Sequence, residues 1–345
     1  MNGPVARRGP TGLRTQRGAA LLLAMLILTL VATLASAMVW QQWRASQVEA
    51  AERGRTQSAW ILIGALDWAR LILREDKPMV DHLGEPWAVP LAEARLSSFL
   101  AAGAGEGAPD DGPEAFLSGA ISDAQARYNL TNLVAGGQAV PTEVAVLKRL
   151  FEHIGVAPEL AITLAVGLRD AGGGSTGDGA SPPASAASAG SAPAPAPITV
   201  PVAANPPLLP RTLPQLRWLG IDDDVIARLS PYVTLLPRAT RVNLNTAPRE
   251  VIAAAIDGLD LAGAQRLVQA RENKPFENLA DVVKLLGAAY ALDDKRLGVA
   301  TDYFEVRGRL RLGDRVLEER SLVWRDQRNV VTLSRERINT QDSAR

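Results

Sequence analysis

The uninterrupted apolar run from Ala19 to Val39 constrains this chain more than any other feature. It is entered through a leader carrying Arg7, Arg8, Arg14 and Arg17 and no acidic residue. At about 1.5 Å per residue, a helix over the run crosses a hydrocarbon layer of roughly 30 Å. A basic flank ahead of such a run stays on the cytoplasmic side. A secretory signal has a shorter apolar core that ends in a small-residue cleavage site. Here the cut that fits lies before the run, between Gly18 and Ala19, and would leave the anchor on the mature protein.

A plain signal anchor on an unrelated domain would satisfy the run by itself, but the chain does not break after it. Beyond Trp40 it continues as a polar helical pattern. Trp43, Val48, Trp60, Ile61, Ile63, Leu66, Trp68, Leu71 and Leu73 are spaced among Arg, Gln and Glu, and no proline occurs until Pro78. Read as one helix, Ala19 to Leu73 reaches about 80 Å.

The formal charge is zero, but the leader supplies four arginines, so the chain beyond it stands near 0 − 4 = −4. A mildly acidic ectodomain argues against nucleic acid or anionic lipid as the main partner. There is no cysteine, hence no disulfide and no thiol chemistry.

The leader, with its cut after glycine and its retained apolar helix, resembles the class III leaders of type IV pilins and of type II secretion pseudopilins. In those families a prepilin peptidase cuts after the glycine and methylates the new amine, here that of Ala19. They place glutamate at the fifth residue after the cut. Counting Ala19 as the first, the fifth residue here is Leu23. The pseudopilin that characteristically lacks this carboxylate is the large minor pseudopilin K, and the chain is similar to that family over nearly its whole length.

Four regions come after the long helix. Residues 81–100 lead through a Gly-rich, acidic loop at 101–114 to Phe116–Leu133, where Ser122-Asp123 between two β-prone runs predicts a hairpin. The residues Ile121, Asp123, Gln125 and Tyr128-Asn129-Leu130 match a segment of pseudopilin K proteins. From Thr142 the pattern turns helical. Thr142 can cap a helix carrying Val144, Leu147, Leu150, Phe151 and Ile154, Gly155 can end it, and Pro158 can open a second with Leu160, Leu164 and Leu168. The tract 171–207 is rich in Gly, Ser, Ala and Pro, and is expected to be a disordered linker.

Helical order resumes at Leu213 and runs on through Val242-Asn243-Leu244-Asn245-Thr246-Ala247-Pro248, where Thr246 is a ready N-cap. The Pro231-Tyr232-Val233-Thr234 stretch and the Asn243, Asn245, Thr246, Ala247 motif resemble the helical insert of pseudopilin K proteins, which holds two SAM-like modules. Near the end, Tyr303–Leu312 is answered across Gly313-Asp314 by Arg315–Trp324, a hairpin signal, and Asn329–Leu333 can add a strand.

The segment around Gly258-Leu259-Asp260 has a rival reading as a helix-hairpin-helix module, which binds phosphate through backbone N–H groups at a helix N-terminus. Asp260 stands where such hairpins place a second glycine, and its carboxylate would face the phosphate. The module therefore reads as protein-contacting scaffold. Enzymatic readings find little support, because His82 and His153 are the only histidines and lie in different modules. Asp110-Asp111 and Asp222-Asp223-Asp224 read as a solvated loop and a helix cap. Some pseudopilin K proteins carry a calcium loop after the segment matching Leu164 to Asp170. Here Asp170 is followed by Ala171-Gly172-Gly173-Gly174, with Asp178 the one further acid before Asp222, so no cofactor is expected and calcium transfers poorly.

The expected fold is α+β: a pilin-like N-terminal helix, transmembrane in its first half, on a small antiparallel sheet built from Ile121–Leu133 and the C-terminal strands, with a large all-helical SAM-like insertion. The expected segments are a leader at 1–18, a transmembrane helix at 19–40, a head at 41–135 and 299–345, and the insertion at 136–298. The resemblance implies a non-enzymatic subunit at the tip of the secretion pseudopilus. Its single-pass anchor would lie in the inner membrane, with the C-terminal domain periplasmic. Its implied partners are other minor pseudopilins, the major pseudopilin and the prepilin peptidase, and not nucleic acid. The alternatives are a membrane-anchored helix-hairpin-helix DNA-uptake protein and a minor pilin of a type IV pilus.

Overall fold

The computed structural model describes residues 17–77, 79–96, 115–173, 206–287, 290–313 and 315–340. The loop at 101–114 and most of the linker expected at 171–207 lie outside them. The chain divides into two units, Met1–Trp60 and Ile61–Arg345. One helix, α1 (Arg17–Glu75), begins in the first and ends in the second, as the unbroken pattern predicts.

In the first unit the side chains from Ala19 to Ala50 are exposed, Leu23 among them at 61%. The helix is long and apolar enough to cross a membrane. Its hydroxyls turn back onto the helix, Thr29 donating to the Leu26 carbonyl, Thr33 to Leu30 and Ser36 to Ala32. These three donors then leave no unpaired group facing apolar surroundings.

In the second unit the last turns of α1 present Leu62, Leu66, Ala69 and Leu73, a stripe at helical spacing that is buried throughout. It packs on a sheet formed by β1 (Leu91–Arg95), β2 (Ala115–Asp123) and three C-terminal strands. After β2 come β3 (Tyr128–Asn129), the small pair β4 (Val134–Ala135) and β5 (Gln138–Ala139), and the helices α2 (Pro141–His153) and α3 (Leu160–Ala171). A 3-10 turn at Leu213–Leu219 leads to α4 (Asp223–Leu229), β6 (Val233–Thr234) and β7 (Val242–Asn243). The helices α5 (Arg249–Ala255), α6 (Leu261–Asn273) and α7 (Leu279–Leu286) are next, then β8 (Leu297–Gly298). The last described elements are β9 (Tyr303–Leu312), β10 (Arg315–Asp326) and β11 (Asn329–Thr340).

The sheet order is β1-β2-β9-β10-β11, antiparallel throughout. The inward phase of β9 and β10 sets Phe304, Val306 and Val323 against Leu66, Ala69 and Leu73, with Trp87 edge-on to Phe304 at 5.2 Å. Helix and sheet approach closely where Gly119 faces Gly308 across the β2–β9 ladder. A Cβ on Gly308 would stand 3.2 Å from Leu62 Cδ2, and one on Gly119 would stand 2.8 Å from the Arg307 carbonyl oxygen. The larger core lies in the helical block and joins Leu147, Phe151, Leu164, Leu229, Val251 and Leu267.

Several local expectations need correction. Ser122-Asp123 is not a hairpin turn. Both residues lie in β2, which pairs with β1 and β9, while Tyr128-Asn129 leaves the sheet to pair in parallel with Val233-Thr234. The polar pair resembles a turn, but Asp123 commits one carboxylate oxygen to long-range donors. Thr142 does not cap α2; Val140 holds the N-cap position and Pro141 opens the helix. Thr246 does not cap α5 either. Pro248 occupies that position, and the Thr246 hydroxyl is drawn to Asp123 Oδ2 instead.

Candidate functional site

The residues that match the pseudopilin K segments converge on a buried polar joint between sheet and helical block. Asp123, at the end of β2, is the hub. Its Oδ1 accepts from Gln125 N at 2.6 Å, and its Oδ2 accepts from Asn243 Nδ2 at 2.9 Å and from the Thr246 hydroxyl at 2.5 Å. Asn243 Nδ2 also donates to the Asp81 carbonyl, and Asn243 Oδ1 accepts from Asn245 N. Asn245 turns toward the segment ahead of α7, donating to the Phe276 carbonyl at 3.0 Å and accepting from Phe276 N at 2.9 Å. Ala247 is fully buried, and its carbonyl accepts from Arg271 Nη1 at 2.7 Å. Burial pulls the Arg271 guanidinium down to about 10. The motif Asn243, Asn245, Thr246, Ala247 is thus internal structure, each amide side chain closing backbone groups that no regular ladder reaches.

The stretch around Tyr128-Asn129 behaves alike. Asn129 Nδ2 donates to the Arg238 carbonyl and the Thr240 hydroxyl, and its Oδ1 accepts from Thr131 N and Leu236 N. Gln125 bridges the Arg241 carbonyl and Asp302 N. Tyr128 donates to Glu143, whose other oxygen takes Arg296 Nε at 2.8 Å.

Sequence reasoning missed the other half of the joint. Asp81 is fully buried in the loop after α1 and meets Arg325 of β10, itself 1% exposed. Arg325 Nη1 reaches Asp76 Oδ2 at 2.8 Å, and its Nη2 bonds Asp81 Oδ1 and the Thr301 carbonyl. The signal for Arg325 was its place in the inward phase of β10, two residues after Val323. Asp81 gave none.

Burial pushes the Asp81 carboxyl up to about 7 against the opposing pull of Arg325. Asp123 is also pushed up by burial, and its partners are neutral donors. A carboxyl whose pKa is raised by folding stabilises fully below its unfolded value near 3.9, and that contribution is lost as pH rises through the folded value. Glu305 is held low by Arg127 and Arg307 despite its burial, and acts oppositely, only below about 4.5. At about 1.4 kcal/mol per unit, the protein should lose on the order of a few kcal/mol between pH 5 and pH 8. Thermal denaturation of the detergent-solubilised chain across that range checks this. The slope should shrink in Asp123→Asn, and an equal slope would contradict the assignment.

Asp76, Asp81 and Glu85 form the one group of three metal-type ligands among the described residues. Arg325 already bridges the two aspartates, and Glu85 takes His82 N and Trp87 Nε1, so the donor set suits an ion-pair network. Asp170 is bound by Arg169 at 2.7 Å, and Asp178 lies outside the described residues. Asp260 caps α6, accepting from Gly263 N at 2.7 Å, where a helix-hairpin-helix module would take phosphate. Gly18 and Ala19 lie in the first turn of α1.

A helix that passes from an apolar segment into a buried stripe on an antiparallel sheet defines a pilin-like subunit, here with a helical block between β2 and β9. The family model for "Type II secretion system (T2SS), protein K" matches residues 242–300, and a second model of the same description matches 126–238. Type II secretion system protein K of Klebsiella pneumoniae is 31% identical over 283 residues, covering 77% of this chain and 78% of the relative. That of Pseudomonas aeruginosa is 28% identical over 311 residues, covering 88% and 86%. A chain of the GspK-GspI-GspJ complex of enterotoxigenic Escherichia coli shares the fold, with a TM-score of 0.57 and 20% identity over 84% of this chain and 99% of that one. The chain belongs to the type II secretion system protein K family.

Proposed function

We propose that this subunit is the minor pseudopilin at the tip of the type II secretion pseudopilus, where it initiates assembly and supports protein export. The observation that carries the tip position is Leu23. In a pilin-like fibre a glutamate at this place neutralises the terminal amine of the subunit above, and an unpaired charge buried in lipid is expensive. Leucine cannot serve a subunit above, so this one enters first, with the helical block at 136–298 as a bulky cap.

The related fold solved with GspI and GspJ supports other minor pseudopilins as partners. The basic leader supports an anchor at 19–40 in the inner membrane, with a periplasmic C-terminal domain, and Gly18-Ala19 supports processing and methylation by the prepilin peptidase. The role is structural, without catalysis or cofactor. Asp260 at the start of α6 supports a module that does not take DNA.

The test combines mass and position. The membrane form should carry a methylated Ala19 terminus, and labelled subunits should sit at one fibre end. An intact leader, or label along the whole fibre, would remove the reading. Leu23→Glu should allow at most weak incorporation along the fibre while the helical block remains.

A further inference from the structure

Three arginines converge on one glutamate where β9 and β10 pass under the helical block. Glu305 is nearly buried, its side chain 10% exposed, and its Oε2 accepts from Arg127 Nη2 at 2.8 Å. Its Oε1 accepts from Arg307 Nε at 2.7 Å and lies 3.3 Å from Arg320 Nε. Arg307 and Arg320 keep 49% and 40% of their side chains exposed. All three arginines line a cleft of about 540 Å³ whose opposite wall holds Pro214, Ile226 and Pro231, with Asp223 also present.

Three guanidiniums offer five N–H donors each, and one carboxylate cannot saturate them. The cleft holds three cations against Glu305 and Asp223, a net of 3 − 2 = +1. Arg320 Nε is buried without an aligned acceptor. Glu305 sits beneath the arginines, accepting from Arg307 Nε and pairing with Arg320 by charge alone, which leaves the outer N–H groups of both forks for an oxyanion.

We propose that this cleft is a docking site for an acidic peptide segment of a partner protein. A carboxylate would be held by Arg307 and Arg320, and the neighbouring apolar side chain would rest on the Pro214–Pro231 wall. The carboxylate chemistry comes from the arginine forks, and the peptide from the apolar wall beside them, which a free anion would not use. The inference is independent of the tip position.

The test uses the full chain in detergent at low ionic strength, where exposed charges are least screened. The probes are a blocked tetrapeptide of alternating leucine and glutamate, the same peptide with glutamine, and inorganic phosphate. The glutamate peptide should bind at least tenfold tighter than the glutamine peptide. Although it should melt lower, because both arginines also neutralise the nearly buried Glu305, Arg307→Gln with Arg320→Gln should weaken peptide binding at least tenfold. Ala227→Trp, on an exposed wall position, should do the same by filling the cleft while leaving the arginines in place. Equal binding of both peptides, or unchanged binding in both variants, would overturn the proposal. Phosphate competing as well as the glutamate peptide would mark an adventitious ion only and overturn it too.

Discussion

Arg325→Leu is expected to destabilise the second unit by about 3–5 kcal/mol, the cost of leaving a buried charge without its partner. The side chain is 1% exposed, holds Asp76 and Asp81 together, and lies over the Phe304 ring at 4.7 Å. Leucine fills much of the space but leaves the fully buried Asp81 carboxylate facing no cation. Two companion measurements separate charge from packing. Because Asp81 is pushed up to about 7, the deficit should shrink at pH 5, where the orphaned carboxyl takes a proton. Arg325→Leu combined with Asp81→Asn should be more stable than Arg325→Leu alone at pH 8, since asparagine can still accept from Thr301 N, as Asp81 Oδ2 now does at 2.8 Å. Denaturant titration of the three proteins decides, and a double variant weaker than the single one would show that packing dominates.

Asn129→Leu should be nearly as damaging. It orphans the Arg238 carbonyl, Thr131 N and Leu236 N in an interior where Asn129 is 1% exposed. At about 1–3 kcal/mol for each buried group left unmade, the loss is on the order of several kcal/mol. Asn129→Asp is the informative control. It keeps the acceptor for Thr131 N and Leu236 N but sets a carboxylate oxygen against the Arg238 carbonyl, so it should recover little. Hydrogen exchange at Thr131 and Leu236 provides a local readout. Slow exchange at both amides in Asn129→Leu would show that another acceptor replaces the side chain.

The helical block and the sheet were legible to different depths. Periodic signals translated directly into elements: α1 runs unbroken as its apolar and amphipathic spacing predicts, and the β9–β10 hairpin turns at Gly313, whose φ is +57°. The β11 strand expected at Asn329–Leu333 extends to Thr340. Polar punctuation misled in three places. Ser122-Asp123, Thr142 and Thr246 each carry the chemistry of a turn or cap, but such side chains also serve distant partners: Asp123 accepts from the local Gln125 N through Oδ1 and from distant donors through Oδ2. Asp123 and Thr246 find each other across the joint, and Pro141 makes a Thr142 cap unnecessary.

The sequence by itself determined the anchor-length helix, the glycine before it at Gly18-Ala19, the missing carboxylate at Leu23 and the terminal strands. Each depends on spacing along the chain or on one residue's identity. Only the tertiary structure decided that Asp81, Asp123, Asn243, Thr246 and Arg325 meet, and that Glu305 gathers Arg127, Arg307 and Arg320. These groups lie up to 244 positions apart. Hydrophobic burial brings their strands and loops together first, and the desolvated polar groups must then pair with whatever that packing places beside them.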